Sequence, residues 1–211
     1  MLFGTRCGAC GRPGHSPCAR CIKGLVSLGE VELAGVDRCL ALVDYDDLSS
    51  RLIGSLKYRG VRTSVRWFAT ALAQLVAWSD EPTDLVTWVP AAGLNLRRRG
   101  FDQSHEVARR VAEHLGLPAR RQLERERGQS QTGRSRVERL QGPNLAASAT
   151  CPPTVLVVDD VLTTGASMQM AAAALRRAGA TRVIAAVLAH RQLHDGGVAR
   201  RGREMVARPC L

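Results

Sequence analysis

The stretch Val155-Leu156-Val157-Val158-Asp159-Asp160-Val161-Leu162-Thr163-Thr164-Gly165-Ala166-Ser167 decides how the chain is read. An uncharged run rich in β-branched residues suits a strand covered on both faces, as in a parallel sheet. It ends at two adjacent carboxylates, Asp159 and Asp160. A short loop of hydroxyls and glycine follows, and then Met168, Ala171, Ala172, Leu175 and Ala178 recur at helical spacing. Ligands of open parallel sheets bind beyond the carboxyl ends of the strands, where the acidic pair would sit. The first turn of the following helix leaves amides unpaired and carries the positive end of the helix dipole, so a phosphate can take those donors. Thr163, Thr164 and Ser167 add hydroxyl donors, and Gly165 lets the backbone come close. The carboxylates repel a phosphate. They are suited instead to accept hydrogen bonds from sugar hydroxyls, or to hold Mg²⁺ through water. An ordinary strand end with a capped helix also uses Asp, Thr and Ser; the length and order of the pattern favour the ligand-holding reading.

The segment resembles the phosphoribosyl pyrophosphate (PRPP) motif of type I phosphoribosyltransferases, in which two acidic residues precede a Thr-Thr-Gly phosphate loop. By that resemblance Asp159 and Asp160 hold the ribose 2′- and 3′-hydroxyls and act as the catalytic pair. Thr163, Thr164, Gly165, Ala166 and Ser167 cradle the 5′-phosphate, and Mg²⁺ accompanies PRPP.

At 211 residues with 45% hydrophobic side chains, the chain suits one medium domain with a small appendage. No apolar run approaches the roughly 18–20 residues needed to span a bilayer, and the N-terminus lacks a signal-peptide pattern. A cytoplasmic location without membrane insertion is the expectation. The formal net charge is +11. Arginines cluster at 97–99, 109–110, 120–121, 125–139 and 200–201. A polyanionic partner, either a diphosphate substrate or nucleic acid, and an arginine-rich solvated surface both stay open. Only two Tyr, three Phe and three Trp are present, which argues against a dedicated platform for stacking single-stranded bases.

Cys7-x2-Cys10 and Cys18-x2-Cys21 are two knuckles separated by seven residues rich in turn formers. Four thiolates so paired can surround one tetrahedral Zn²⁺ at roughly 2.3 Å. The segment has too little apolar sequence to fold unaided, and metal binding can supply the missing free energy. A structural zinc is expected, because protein side chains fill all four positions. His15 as a substitute ligand and a pair of disulfides are the rival readings. Cys39 lies in an expected strand and reads as a small buried side chain.

Along the chain, residues 26–37 read as a connector. Strands are expected at 39–45, 84–89, 154–159 and 182–189, with a short one near 119–122. Helices are expected from 48 to near 57–60, and at 63–78, 107–115, 135–141 and 166–178, with the fourth of these short. Residues 124–135 read as an exposed loop. Strands alternating with helices imply an α/β fold with a parallel-containing sheet. The loop after Val89-Pro90 holds Arg97, Arg98, Arg99 and Gly100 before a helix, and arginines beside a glycine suit a pyrophosphate leaving group. Lys57 is a second source of positive charge. Residues 127–136 suit a lid that excludes water.

The order of these pieces is similar to the ComF family: the Cys-x2-Cys pairs, Leu56-Lys57-Tyr58, Val89-Pro90 followed by Arg98-Arg99-Gly100-Phe101-Asp102-Gln103, Arg139 before Asn144, and Asp159-Asp160-Val161 with Thr163-Thr164-Gly165. The likeness runs from Cys7 to about His190. It implies a type I phosphoribosyltransferase-like, mostly parallel sheet flanked by helices, with a small N-terminal four-cysteine zinc-binding module. The implied division is 1–35 metal module and connector, 36–195 phosphoribosyltransferase-like domain, and 196–211 basic tail. It implies PRPP as ligand, with Arg97, Arg99, Gly100 and Lys57 on the pyrophosphate. Mg²⁺-dependent phosphoribosyl transfer to an unidentified acceptor is the expected activity, linked to DNA uptake. The alternative is a non-catalytic PRPP sensor or single-stranded-DNA-binding protein working with competence-machinery proteins. The sequence departs from that family at Asp102, where asparagine is common; the change adds a negative charge near the arginine loop.

Overall fold

The computed structural model describes residues 5–56, 62–91, 102–125 and 144–191. In chain order the elements are α1 (Ala19–Lys23), β1 (Ser27–Glu30), β2 (Arg38–Asp44), α2 (Asp47–Leu56), α3 (Arg62–Trp78), β3 (Leu85–Trp88), α4 (Gln103–Leu115), β4 (Leu123–Arg125), β5 (Leu145–Ala147), β6 (Thr154–Leu162), α5 (Ala166–Arg177) and β7 (Arg182–His190). Five strands make one sheet in the order β1-β2-β7-β6-β3, and β4 pairs with β5 separately. Within the five-stranded sheet of the described residues β1 runs antiparallel to β2, and the pairs β2–β7, β7–β6 and β6–β3 are parallel; β4 and β5 are antiparallel to each other. Among the described residues no helix is long and apolar enough to cross a membrane.

The apolar runs of β6 and β7 are continuous because both faces of the sheet are covered. Successive side chains of a strand point to opposite faces. Leu156, Val158, Ile184 and Ala186 therefore pack under α2, α3 and α4 with Phe68, Leu72, Val107 and Val111. Val155, Val157, Val183 and Val187 pack on the other face with Met168, Ala171, Leu175, Leu123 and Leu145. The alanines of α5 and β7 let that helix lie close to the sheet.

Several boundaries differ from expectation for identifiable reasons. The 26–37 connector contains β1, an edge strand with no fully buried residue and one apolar side chain, Leu28, so the strand itself is too short and too polar to stand out in the sequence. Helix α4 begins four residues before its first apolar position, because Asp102 caps it. β6 continues to Leu162, through both carboxylates. Near 119 only an isolated parallel bridge to Val86 forms, and the strand that follows is β4. The expected helix at 135–141 lies outside the described residues.

The amino-terminal edge of the sheet is tied by charge. Glu81 holds Arg38 at 2.9 Å and Arg182 at 2.8 Å, and Arg38 also reaches Glu30 at 2.9 Å and the Ser79 carbonyl at 3.0 Å. Replacing Glu81 by Ala removes one of Arg38's two carboxylates and strands a guanidinium that is largely covered. Urea unfolding should show a loss of about 1–2 kcal/mol, the range of a charged hydrogen bond in a partly exposed pair. Arg182→Ala, at the more exposed end, should cost less than about 1 kcal/mol. Equal losses for the two would contradict this ordering.

Candidate functional site

β6 delivers Asp159 and Asp160 to the carboxyl edge of the sheet, and the first turn of α4 meets them there. Asp159 Oδ1 accepts from the Ser104 hydroxyl at 3.1 Å and from the Asp160 amide at 2.8 Å. Asp160 Oδ1 accepts from the Val161 amide at 2.7 Å, and its Oδ2 accepts from Gln103 Nε2 at 2.7 Å. Burial is the largest influence on Asp159. Together with repulsion from Asp160 it outweighs the Asp160 amide and the Ser104 hydroxyl, and the carboxyl is pushed up to about 8. Asp159 Oδ2 has no hydrogen-bond partner among the described residues.

The start of α4 is fixed by Asp102. Its Oδ1 accepts from the amides of Ser104 at 3.1 Å and His105 at 3.4 Å, an N-cap arrangement, while Oδ2 accepts from the Ala91 amide at 3.1 Å. One carboxylate thus ties together the residues on either side of 92–101. Both oxygens act as acceptors, which one asparagine amide cannot supply; this is a physical reason for aspartate here. The His105 ring lies on Trp88 at the end of β3, with centroids 4.4 Å apart. Arg125, at the end of β4, donates Nε to the Pro90 carbonyl at 2.8 Å. Burial lowers its pKa, and the charges of Asp159 and Asp102 oppose that. It is a described cation within reach of the site's carboxylates.

The loop that follows β6 ends at Gly165, the N-cap of α5, whose φ of 79° lies in the left-handed region that glycine tolerates best. The terminal methyl of Leu33 in the 31–36 segment sits where a Cβ on residue 165 would stand and would have to swing aside for one, so the left-handed backbone is the firmer reason for glycine here. No side chain caps α5 through its N-cap residue. The Ala166 amide takes Thr164 Oγ1 at 3.4 Å, and the Gln169 amide takes the Gly165 carbonyl at 2.9 Å. Asp159, Thr163, Thr164, Gly165, Ala166 and Ser167 help line a cavity of about 50 Å³. That exceeds the roughly 30 Å³ of one water and is far too small for a nucleoside. A larger cavity, about 340 Å³, lies at the opposite edge of the sheet between the ends of α3 and α4.

The Sγ atoms of Cys7, Cys10, Cys18 and Cys21 all lie within 4.8 Å of one another, with Cys7–Cys21 and Cys10–Cys18 at 3.7 Å, and all four thiols are free of disulfides. A tetrahedral ion with 2.3 Å bonds needs sulfur–sulfur edges of about 3.8 Å. The cluster could hold such a metal ion. Burial pushes Cys7 up, but the backbone amides of Cys10, Cys18 and Ala9 outweigh it and bring the thiol down to about 6. The Cys21 amide lowers Cys18. Burial and the three neighbouring thiols push Cys21 up to about 12. Four thiolates at this spacing need a cation between them. The module is seated on the main body: Ser16 Oγ meets Ser64 Oγ at 2.6 Å and takes the Gly8 amide at 2.8 Å, while Cys7 and Cys21 join the core under α2.

The structure therefore brings Asp159, Asp160 and residues 163–167 together, and separately the four cysteines. Lys57, Arg97, Arg98, Arg99, Gly100, the 127–136 stretch, Arg139 and the 196–211 tail lie outside the described residues. Sequence reasoning missed contacts by Gln103, Ser104 and Arg125. Gln103 stands in a motif whose order is recognisable but whose partner is 57 residues away. Ser104 and Arg125 carry no local pattern.

The fold is α/β with a mostly parallel sheet flanked by helices. The chain belongs to the phosphoribosyl transferase domain family, whose model matches residues 96–205. No curated protein matches it. Among solved structures, the glutamine PRPP amidotransferase from B. subtilis, complexed with ADP and GMP, is 24% identical with a TM-score of 0.43, over 63% of this chain and 30% of that one. The chain thus spans about a third of that protein. A purine phosphoribosyltransferase from Pyrococcus horikoshii Ot3 is 21% identical with a TM-score of 0.42, over 60% and 73% of the two chains. Orotate phosphoribosyltransferase from Aeropyrum pernix is 19% identical with a TM-score of 0.42, over 80% and 88%.

The raised Asp159 pKa has a definite pH signature. The unfolded carboxyl ionises near 3.8 and the folded one near 8. The group's contribution to stability is complete below about pH 4 and is lost as pH climbs to about 8, with a limiting slope of about 1.4 kcal/mol per pH unit. Urea unfolding at pH 5, 6.5 and 8 should show Asp159→Asn gaining on the wild type as pH rises. Parallel curves for the two proteins would contradict the assignment.

Proposed function

We propose that this chain binds PRPP with Mg²⁺ at the carboxyl edge of its sheet and transfers the phosphoribosyl group to an acceptor. The observation that supports the reading is that Asp159 and the hydroxyl- and amide-bearing loop at 163–167 line one phosphate-scale cavity. In this reading the loop takes the 5′-phosphate through amides at the positive end of α5. Asp159 and Asp160 accept from the ribose hydroxyls. Arg97, Arg99, Gly100 and Lys57 are assigned to the pyrophosphate, joined by Arg125. The bond from the anomeric carbon to pyrophosphate breaks, and the acceptor's lone pair forms the new bond there. Positive charge develops on the sugar, as in glycosyl transfer generally, and the acidic pair favours it to the extent that Asp159 has given up the proton its raised pKa holds. Mg²⁺ bound with PRPP would supply further charge neutralisation on the leaving group. Membership of the ComF family, with its link to natural transformation, and the division at residues 35 and 195 are part of the same proposal, as is a cytoplasmic setting.

The net charge of +11 favours a second reading, a PRPP sensor or single-stranded-DNA-binding protein that breaks no bond. Labelled PRPP incubated with protein, Mg²⁺ and a pool of nucleobases or DNA separates the two. Release of pyrophosphate is expected for the transferase, and binding without release for the sensor. The shared binding site has its own test. Calorimetry with Mg²⁺–PRPP should show affinity falling at least tenfold, about 1.4 kcal/mol, in the Asp159→Asn/Asp160→Asn double variant. Unchanged affinity would remove the ribose contacts from the account.

The metal of the cysteine cluster is proposed to be a structural Zn²⁺, on the strength of the sulfur spacing and the all-thiol set. Metal analysis of the purified protein should find about one zinc per chain, and chelation should lower the melting temperature. Metal-free protein with unchanged melting would refute it.

A further inference from the structure

The two carboxylates are not equivalent. Asp160 has both oxygens engaged, Oδ1 by the Val161 amide and Oδ2 by the Gln103 side chain. Asp159 has both of its donors, the Asp160 amide and the Ser104 hydroxyl, on Oδ1. Its Oδ2 is the oxygen left without a donor among the described residues, and Asp159 is the member of the pair that lines the phosphate-scale cavity. The two side-chain donors are consecutive residues of one helix, 4% and 5% exposed. They are held in place independently of the carboxylates, by the Asp102 cap and by the His105–Trp88 ring contact.

We infer that Gln103 and Ser104 are positioning residues that divide the work of the acidic pair: Gln103 locks Asp160 onto α4, and Ser104 turns Asp159 so that Oδ2 faces the ligand's hydroxyl. A carboxylate oxygen that already accepts a short charge-assisted bond in a buried place is a weaker acceptor for a newcomer. Asp159 is then the principal hydroxyl acceptor, and Asp160 acts with Gln103 as a unit that braces it through the 159–160 peptide. This rests on the PRPP reading for the ligand, but the positioning itself does not.

The test uses the full chain and two probes, Mg²⁺–PRPP and inorganic phosphate, with affinities measured by calorimetry for Asp159→Asn, Asp160→Asn, Gln103→Met, Ser104→Ala and the Gln103→Met/Asp160→Asn pair. Asp159→Asn should lose the most PRPP affinity. Gln103→Met and Asp160→Asn should each lose about tenfold or less, and the double variant should be no worse than its weaker parent, because the two act as one unit. Affinity for inorganic phosphate should fall by no more than about twofold in any variant, and should hold or rise in Asp159→Asn, where a repelling charge is removed from the cavity wall, which separates positioning from general damage to the fold. Equal losses for Asp159→Asn and Asp160→Asn, additive losses in the double variant, or parallel losses for the two probes would each overturn the inference. Ser104→Ala removes a single hydroxyl, so it carries the test if Gln103→Met does not fold: wild-type PRPP affinity in Ser104→Ala would overturn it as well. If wild-type protein binds phosphate but not PRPP, the PRPP reading fails separately. Crystal structures of Gln103→Met and Ser104→Ala then decide the positioning alone, since unmoved Asp160 and Asp159 carboxylates contradict it and rotated ones support it.

Discussion

Two carboxylates on consecutive residues at the end of a strand that is otherwise buried form the constraint around which the rest of the structure is arranged. Val155 to Val158 are fully covered, so β6 carries the acidic pair out of a dry core. Half-buried carboxylates a peptide apart repel each other and have less water to screen them. The fold answers with four donors: two amides of β6 itself and two side chains of α4. Helix α4 must therefore begin where it does, and Asp102 fixes that start with the same carboxylate that holds the Ala91 amide. Burial and the charge of Asp160 still outweigh these donors at Asp159, whose proton affinity is raised.

The loop at 163–167 depends on the same strand. Because β6 runs on to Leu162, the turn to α5 is made at Gly165 in a left-handed conformation, and the first amides of α5 face the space beside Asp159. Leu33 closes the outer side of that turn. The 31–36 segment thus belongs to the site's support, although nothing in its composition marks it. The cysteine module is likewise built into the main body. Cys7 and Cys21 are core residues, and the Ser16–Ser64 contact joins the knuckle to the beginning of α3. A metal there would stiffen the side of the protein on which α2 ends and α3 begins.

The alternation of elements, the covered strands, the strand–loop–helix turn at 163–167 and the cysteine pairs were legible in the sequence because each is a local pattern: a period, a run or a fixed spacing. What was not legible depends on distant partners or on the absence of pattern. The start of α4 was missed because its first turn, Gln103-Ser104-His105, shows no apolar spacing and is set by a cap. β1 and β5 are short and half-covered, so they lack alternation. The length of β6 was underestimated because charged residues normally end a buried strand, and here two of them continue it with hydrogen bonds from another element. Arg125 stood in a charged stretch with no periodicity. Its place beside Pro90, Asp102 and Asp159 follows only from the β4–β5 pairing.

The central claim is that a phosphorylated sugar sits across the end of β6, its phosphate on the start of α5 and its hydroxyls on the acidic side chains. The most direct measurement is a crystal structure of the protein grown with Mg²⁺ and PRPP. The account predicts ribose oxygens within hydrogen-bonding distance of Asp159, with the 5′-phosphate enclosed by residues 163–167. Ligand density at the larger cavity across the sheet, with the 163–167 loop left vacant, would contradict it.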